Sequence, residues 1–466
     1  MSLPASPAQD PRQAAPTLAG RLGAFVAGLR GEALPADTLH AVRRHALDTL
    51  GAALAGAAQP EPRAAFAAGI AAAGSDARSP IWGTQHRASP ALAALVNGTA
   101  AHALELDDAS GCDHSGAVVV PAVLAALGLP DCTADEWDVA AAIAAGYEVG
   151  RRVLEAGGGY DGHNGAGWHS TGTCGVFAAA AAVARLARCD AGTTANALGI
   201  AGSFASGTWA FLADGAMTKR LHPGHAASAG LMAVAMSRAG MSGPAQVFEA
   251  PWGGFLRTYV GERAQPELLV ADLGHDWRIH RSSIKPYASC RGTHAAVEAV
   301  IRLRERFPAP EVERITVHVT PTVERMCRNR NVATLVDAQM SLPYAVAVAL
   351  LHGGAGIERY SEASRRSPAV HAAMDRVEVA ADASRPSNVA ARVHIAARDG
   401  RSADLAVDVP LGSPGNALPD GQLLAKYRSL AAPAIGEAPA RALEERILAL
   451  GGSRPAADLA DLTHPR

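Results

Sequence analysis

The sequence is short of aromatic residues, which make up 5% of 466 positions although 49% are hydrophobic. Its interior must therefore be built from Ala, Val and Leu, and alanine-rich, valine-poor tracts favour closely packed helices over sheet. The six cysteines, Cys112, Cys132, Cys174, Cys189, Cys290 and Cys327, include no CxxC pair. That spacing argues against a disulfide framework, a structural zinc site and an iron–sulfur cluster. No basic stripe or long charge run is present and the net charge is −2, which argues against nucleic-acid binding. The longest apolar runs, such as VFAAAAAVARLA, meet an arginine too soon to cross a bilayer. Residues 1–16 (MSLPASPAQDPRQAAP) lack the apolar core of a signal peptide and read as a disordered tail. The expectation is a soluble cytoplasmic protein with no nucleic-acid or membrane partner.

Lysine is also scarce. Of 42 basic residues only Lys219, Lys285 and Lys426 are lysine. Where arginine is the default cation, a compact ammonium that can be buried against a carboxylate or titrated invites a reason.

What is there is mostly helical texture. From Leu18 to about Tyr259 apolar residues recur at three- and four-residue spacing between Gly, Pro and Asp signals, as in TLHAVRRHALDTLGAALAGA (38–57). TADE at 133–136 and TLVD at 334–337 fit capping boxes. After about Leu268 strand-like alternation appears in ERITVHVTP (313–321) and DRVEVAA (375–381). Two further runs flank Asp399–Gly400, a hairpin signal. The predicted fold is mainly α: a disordered tail over 1–16, a helical domain over 17–267, an inserted α+β domain over 268–411, and C-terminal helices over 412–466 that return to the helical domain.

Four polar clusters interrupt the apolar background. HALELDDASGCDHSGAVVVPA (102–122) ends a helix in Glu105, Asp107 and Asp108 and delivers His114 before the next. It reads either as a solvated acidic turn or as a general acid/base pair. GWHSTGTCG (167–175) places His169 at a helix start with Ser170 and Thr171 as capping hydroxyls, either a surface cap or an anion site. GAMTKRLHPGHAASAG (215–230) carries Lys219, His222 and His225; a cradle for carboxylates fits it better than a metal site, because no third ligand has a recognisable spacing. SSIKPYASCRGTHAAVEAV (282–300) carries Lys285, Cys290, Arg291 and His294, with no recognisable Cys–His nucleophile signature. No dinucleotide, Walker or nucleophile-elbow motif is present. Together the clusters describe a site for a small polycarboxylate, with cations and helix starts for its carboxylates and a base for an acidic α-proton.

These clusters, in this order, resemble the MmgE/PrpD family, which includes 2-methylcitrate dehydratase, cis-aconitate decarboxylase and iminodisuccinate epimerase. The resemblance extends from LDTLGAALAG (48–57) through QMSLPYAVAVAL to PLGSPGNALPDGQLLAKYRSLA (410–431). It implies a homodimer whose cleft between two domains works without metal or organic cofactor. It also implies catalytic roles for Asp107, Asp108, His114, His169, Lys219 and Lys285. Beside them, Ser170, Thr171, His222, Cys290 and Arg291 are expected to touch substrate. Glu105 stands where many members have aspartate, and HSG replaces the commoner HPG or HPS. Cys290 stands where the decarboxylase branch carries a histidine, which points away from decarboxylation. The expected activity is therefore a cofactor-independent dehydratase acting on a hydroxy di- or tricarboxylate such as 2-methylcitrate. Epimerisation of a dicarboxylate such as iminodisuccinate follows, then cis-aconitate-type decarboxylation. Outside that class stand a non-catalytic carboxylate-binding protein and a zinc hydrolase built on His222 and His225.

Overall fold

The computed structural model describes residues 16–72 and 77–465. The tail expected over 1–16 lies, Pro16 apart, outside the described residues. The molecule is mainly helical, and its described residues form two large hydrophobic cores and a small cluster of Ile284, Leu418 and Leu423. The first draws on residues between Ala19 and Ile279 and again on the chain between Tyr427 and Ala460. The second draws on residues between Ala288 and Val407, joined by Ala52, Leu104, Leu106 and Leu430.

The helices that place the site are α1 (Ala36–Gly56), α2 (Pro90–His102), α3 (Ser115–Ala126), α4 (Glu136–Ala156), α5 (Gly175–Leu186) and α6 (Thr218–Arg238). Every residue of α3 and α5 is buried, as expected of helices apolar all round at the centre of a bundle. Small residues let the axes approach. A Cβ on Gly98 of α2 would stand 2.7 Å from the Cα of Gly224 of α6, closer than side-chain atoms pack. That crossing brings the first turn of α6, with Lys219, beside the end of α2.

In the second core α7 (His294–Leu303) and α8 (Leu342–His352) cover one face of a four-stranded sheet. The strands are β1 (Val312–Val319), β2 (Val377–Ala381), β3 (Ala391–Ala397) and β4 (Ser402–Val407), in the order β2-β1-β3-β4. β1 pairs parallel with β2, Val317 opposite Val379, and antiparallel with β3, Val317 opposite Val393. β3 and β4 form the expected hairpin, with Gly400 at φ +86° in its turn. Ile315, Val317 and Val319 point into the core in the alternation read from ERITVHV. The late helix α9 (Asp420–Ile435) packs back on α1. Among the described residues no helix is long and apolar enough to cross a membrane.

Two local expectations are corrected. The capping box of α4 uses Asp135 and Asp138, two residues beyond the Thr133–Glu136 pair read from the sequence, whereas Thr334 and Asp337 form theirs as expected. The helix expected to start at Thr171 is broken at Cys174 into a turn, Ser170–Thr173, and α5. The His169 side chain does not cap that turn, whose first N–H is taken by Asn164 Oδ1 at 3.1 Å. The Ser170 amide is therefore engaged within the protein and is not one of the free N–H groups expected at that helix start.

Candidate active site

The loop from the end of α2 to the start of α3 carries three non-glycine residues in the left-handed region: Glu105 (φ +53°), Ser110 (+67°) and Asp113 (+98°). Such conformations persist only where surroundings over-determine them. Ala109 exchanges backbone hydrogen bonds with Ser283, Arg151 Nη1 donates to the Ser110 carbonyl at 2.7 Å, and Ser115 Oγ accepts from the Cys112 amide at 2.8 Å. Asp108 also holds the loop in place. Its Oδ1 accepts from the Gly116 amide at 2.9 Å and its Oδ2 from Tyr147 at 2.7 Å. With that carboxylate used as an anchor, the role of orienting a histidine, expected of Asp107 or Asp108, falls to Asp107.

Asp107 is buried between two imidazoles. His102 Nδ1 lies 2.9 Å from Oδ1 and His114 Nδ1 lies 3.0 Å from Oδ2, with the Asp108 carbonyl also accepting from His114 Nδ1 at 2.8 Å. The two rings are tilted by 47° to each other with centroids 4.0 Å apart. Burial pushes His102 well below the ordinary histidine range, and the charge on His114 pushes it further. Burial would lower His114 too, but Asp113 and Asp107 outweigh it and hold the ring above the ordinary range. Burial likewise would raise Asp107, and His114 and Lys285 overcome it to keep the carboxylate ionised. The His114 ring is thus clamped by carboxylates that favour its charged form.

His169 stands one layer back. Its Nδ1 is 2.7 Å from His222 Nδ1, Thr171 Oγ1 is 3.2 Å from its Nε2, and Asp113 Oδ2 is 3.6 Å from the same atom. Burial lowers the proton affinity of His169 and takes His222 down to about 3, so the pair is neutral. Asp113 is the bridge: its Oδ2 also lies 3.7 Å from His114 Nε2.

Opposite stands a nest of cations around Glu105, itself buried. Lys219 Nζ and Arg220 Nη1 (2.5 Å) converge on Oε1, while Lys285 Nζ donates to Oε2 at 3.0 Å and to the Glu105 carbonyl at 3.2 Å. Lys285 lies 4.0 Å from Asp107 as well. Gln339 ties the nest down, accepting from Arg220 Nη2 at 2.9 Å and donating to the Leu104 carbonyl at 2.7 Å. Burial first, then Arg220 and Lys285, pull Lys219 well below the ordinary lysine range.

A cavity of about 430 Å³ opens beside these groups, with Glu105, Asp113, His114 and Lys219 on one wall and Thr322, just after β1, and Asn388, just before β3, on another. Cys290 faces it too; a hydrogen bond with Cys327, and then nearby Lys219, draw its thiol down to about 6 against the effect of burial. Asp107, His169 and Lys285 lie behind the lining. Arg291 reaches the wall, but its guanidinium is committed to the Pro410 and Leu411 carbonyls, Ser413 and His294. Ser170, bonded to Asn164, and Thr171 and His222, both bonded to His169, are set back from the cavity. Substrate contact expected of those three is not supported by their placement. Cys174 fills the core, as expected.

Three participants carry no signal in the sequence. Asp113 directly precedes His114, and His102 opens the quoted cluster, but neither spacing announces a contact. Arg220 is one arginine among many, beside the rarer Lys219. Two buried sets, His102–Glu105–His114 and Asp113–His114–His169, bring potential metal-ligand atoms within 4.8 Å of one another, and His222 and His225 belong to neither. Both share His114, whose Nδ1 is already hydrogen-bonded.

Cis-aconitate decarboxylase-like protein oryM of Aspergillus oryzae is 28% identical over 460 residues, covering 93% of this chain and 95% of that protein. Cis-aconitate decarboxylase of Aspergillus terreus is 30% identical over 460 residues, 91% of each. The Homo sapiens cis-aconitate decarboxylase is 28% identical over 324 residues, 66% of this chain and 64% of that protein. Residues 20–267 match the MmgE/PrpD N-terminal domain and residues 287–451 the MmgE/PrpD C-terminal domain, so that the loop of Asp107 and the lysine at the start of α6 fall within one family pattern, and the chain belongs to the MmgE/PrpD family.

Proposed function

We propose that the chain is a cofactor-independent lyase acting on a small tricarboxylate, with His114 moving the proton. The observation that carries this reading is the state of His114. Among the described residues it is the one imidazole lining the cavity, and two carboxylates, Asp107 at 3.0 Å from Nδ1 and Asp113 at 3.7 Å from Nε2, raise its proton affinity above the ordinary range. Lys219 on the same wall supplies positive charge for a substrate carboxylate.

A cavity that presents one imidazole of raised proton affinity favours a reaction needing one proton delivered. In decarboxylation of a cis-aconitate-type acid, the C–C bond to the departing carboxylate supplies the electron pair of a new alkene. The old alkene's pair then takes the proton from His114 at the carbon α to a retained carboxylate, and CO₂ leaves. The names of the relatives support the same chemistry. This reverses the order reached from the sequence, in which Cys290 weighed against decarboxylation.

Dehydration of a hydroxy tricarboxylate such as 2-methylcitrate is the second reading. It is favoured by neutral His169, which stands 3.6 Å behind Asp113 as an acceptor for an α-proton, and by Cys290 in the wall. Epimerisation needs proton carriers on both faces of the substrate, which the single lining imidazole does not favour. The same proposal includes a homodimer and a division into helical (17–267 with 412–466) and α+β (268–411) units.

Proton NMR in deuterated water with cis-aconitate, 2-methylcitrate, citrate and iminodisuccinate tests the reading. Decarboxylation places one deuterium in the product and releases CO₂, whereas dehydration yields an alkene from the hydroxy acid. Turnover that survives His114→Gln, or no turnover of any tricarboxylate, would overturn the proposal.

A further inference from the structure

The lysines that a carboxylate substrate needs are already holding a carboxylate. Both oxygens of Glu105 are used: Lys219 and Arg220 meet Oε1, and Lys285 meets Oε2. We propose that Glu105 is an internal stand-in for a substrate carboxylate, occupying the seat formed by Lys219, Arg220 and Lys285 and yielding it to one arm of a small polycarboxylate. Its side chain thereby determines which anions the site accepts. The inference rests on the carboxylate-lyase reading above and deepens it.

Charge balance is the first support. Three cations surround one carboxylate; Asp107, the next nearest acid, is 4.0 Å from Lys285 and already engages two histidines. Buried cations in excess of anions are costly unless another anion joins them. Access is the second. Glu105 and Lys219 face the cavity, whereas Lys285 and Arg220 stand behind it, so an entering carboxylate meets Lys219 and the one acid that can be displaced from it. The third is conformation. Glu105 is held at φ +53°, a strained backbone for a residue with a side chain, and that turn is what aims its carboxylate at the nest.

An internal competitor acts at a high effective concentration. Sulfate or a monocarboxylate, which offers no second anchor, loses to it, while a polycarboxylate that also engages other charged groups of the wall wins. The seat thus selects for more than one carboxylate.

Isothermal titration with propane-1,2,3-tricarboxylate, which has neither a hydroxyl to lose nor an alkene, tests this on wild type, Glu105→Gln and Glu105→Asp. Glu105→Gln keeps the shape and removes the competing charge, and should bind at least about tenfold more tightly. Glu105→Asp, one methylene shorter, should tighten binding by a smaller factor. Sulfate should raise the melting temperature of Glu105→Gln and leave wild type unmoved. If wild type binds the tricarboxylate and Glu105→Gln binds it equally or more weakly, Glu105 orients the lysines and the proposal fails alone. Should Glu105→Gln not fold, unchanged or weaker binding by Glu105→Asp overturns it in the same way. No binding to any of the three proteins overturns both the stand-in and the carboxylate-lyase reading.

Discussion

Asp107 Oδ2 lies 3.0 Å from His114 Nδ1, and both side chains are buried. This contact leaves Nε2 as the edge of the ring turned toward Asp113 and the cavity, and after Asp113 it is the next contributor to the ring's raised proton affinity. Asp107→Asn should lower the proton affinity of His114 and reduce kcat by about 10² or more. Removing one partner of a buried pair should also cost about 3–5 kcal/mol of stability. His114 titrates above its ordinary 6.5 in the folded chain. Its stabilising contribution is therefore complete below 6.5 and is lost as pH rises through the raised value. Nitrogen-resolved NMR titration of His114 in both proteins, with urea midpoints across that range, checks each part.

The opposite sign applies to the neutral histidines. Burial takes His163 down to about 4 from an ordinary 6.5, and His102, His169 and His222 shift in the same direction. The unfolded chain binds these protons first, so stability should fall as pH drops below 6.5. For His163 the loss should level off near 4, having reached roughly 3 kcal/mol. The denaturant midpoint should decline from pH 7 to pH 5, and His163→Gln should make the decline shallower.

Cys290 offers a chemical readout of the cavity. Its thiol, drawn down to about 6 chiefly by the Cys327 hydrogen bond, should react with iodoacetamide at a rate that rises through pH 6 and then levels. Cys327→Ala should move that midpoint upward, and a bound tricarboxylate should slow the reaction. Mass spectrometry of the labelled peptide follows all three.

The crossing of α2 and α6 is a mechanical link to the site. A Cβ on Gly224 would overlap the Leu95 carbonyl oxygen and Thr99 Oγ1. Gly224→Ala should therefore cost about 1–3 kcal/mol and, by forcing the helices apart, shift Lys219 from Glu105. A lower melting temperature with a kcat/KM loss larger than the stability loss explains is the expected result.

The parts of the site legible in the sequence are those that advertise themselves. His114, Lys219 and Lys285 are polar residues in apolar surroundings, and the structure gathers them around Glu105 and Asp107. His102 is illegible because its bond to Asp107 depends on a chain reversal at Glu105, and nothing in a non-glycine residue announces a left-handed turn. Asp107 and Asp108 are neighbours with identical chemistry. Only the fold sends one to His102 and His114 and the other to Tyr147 and the Gly116 amide. Ser170 and Thr171 mislead because a hydroxyl-rich helix start looks the same whether it faces a cavity or a packed interior. For the fold, alternation reveals β1 and the β3–β4 hairpin. The parallel pairing of Val317 with Val379 joins segments too distant for a local pattern to record.

Lys426 Nζ, on α9, donates to Asp48 Oδ1 at 2.5 Å and to the Leu106 carbonyl at 2.6 Å, between Glu105 and Asp107. A cation from the far end of the chain thus clasps the peptide that separates the two carboxylates of the site. On the ribosome, the helices around α3 and α5 have emerged long before that clasp is synthesised. The catalytic loop should therefore reach its final shape late in translation, after the bundle that carries it has begun to fold.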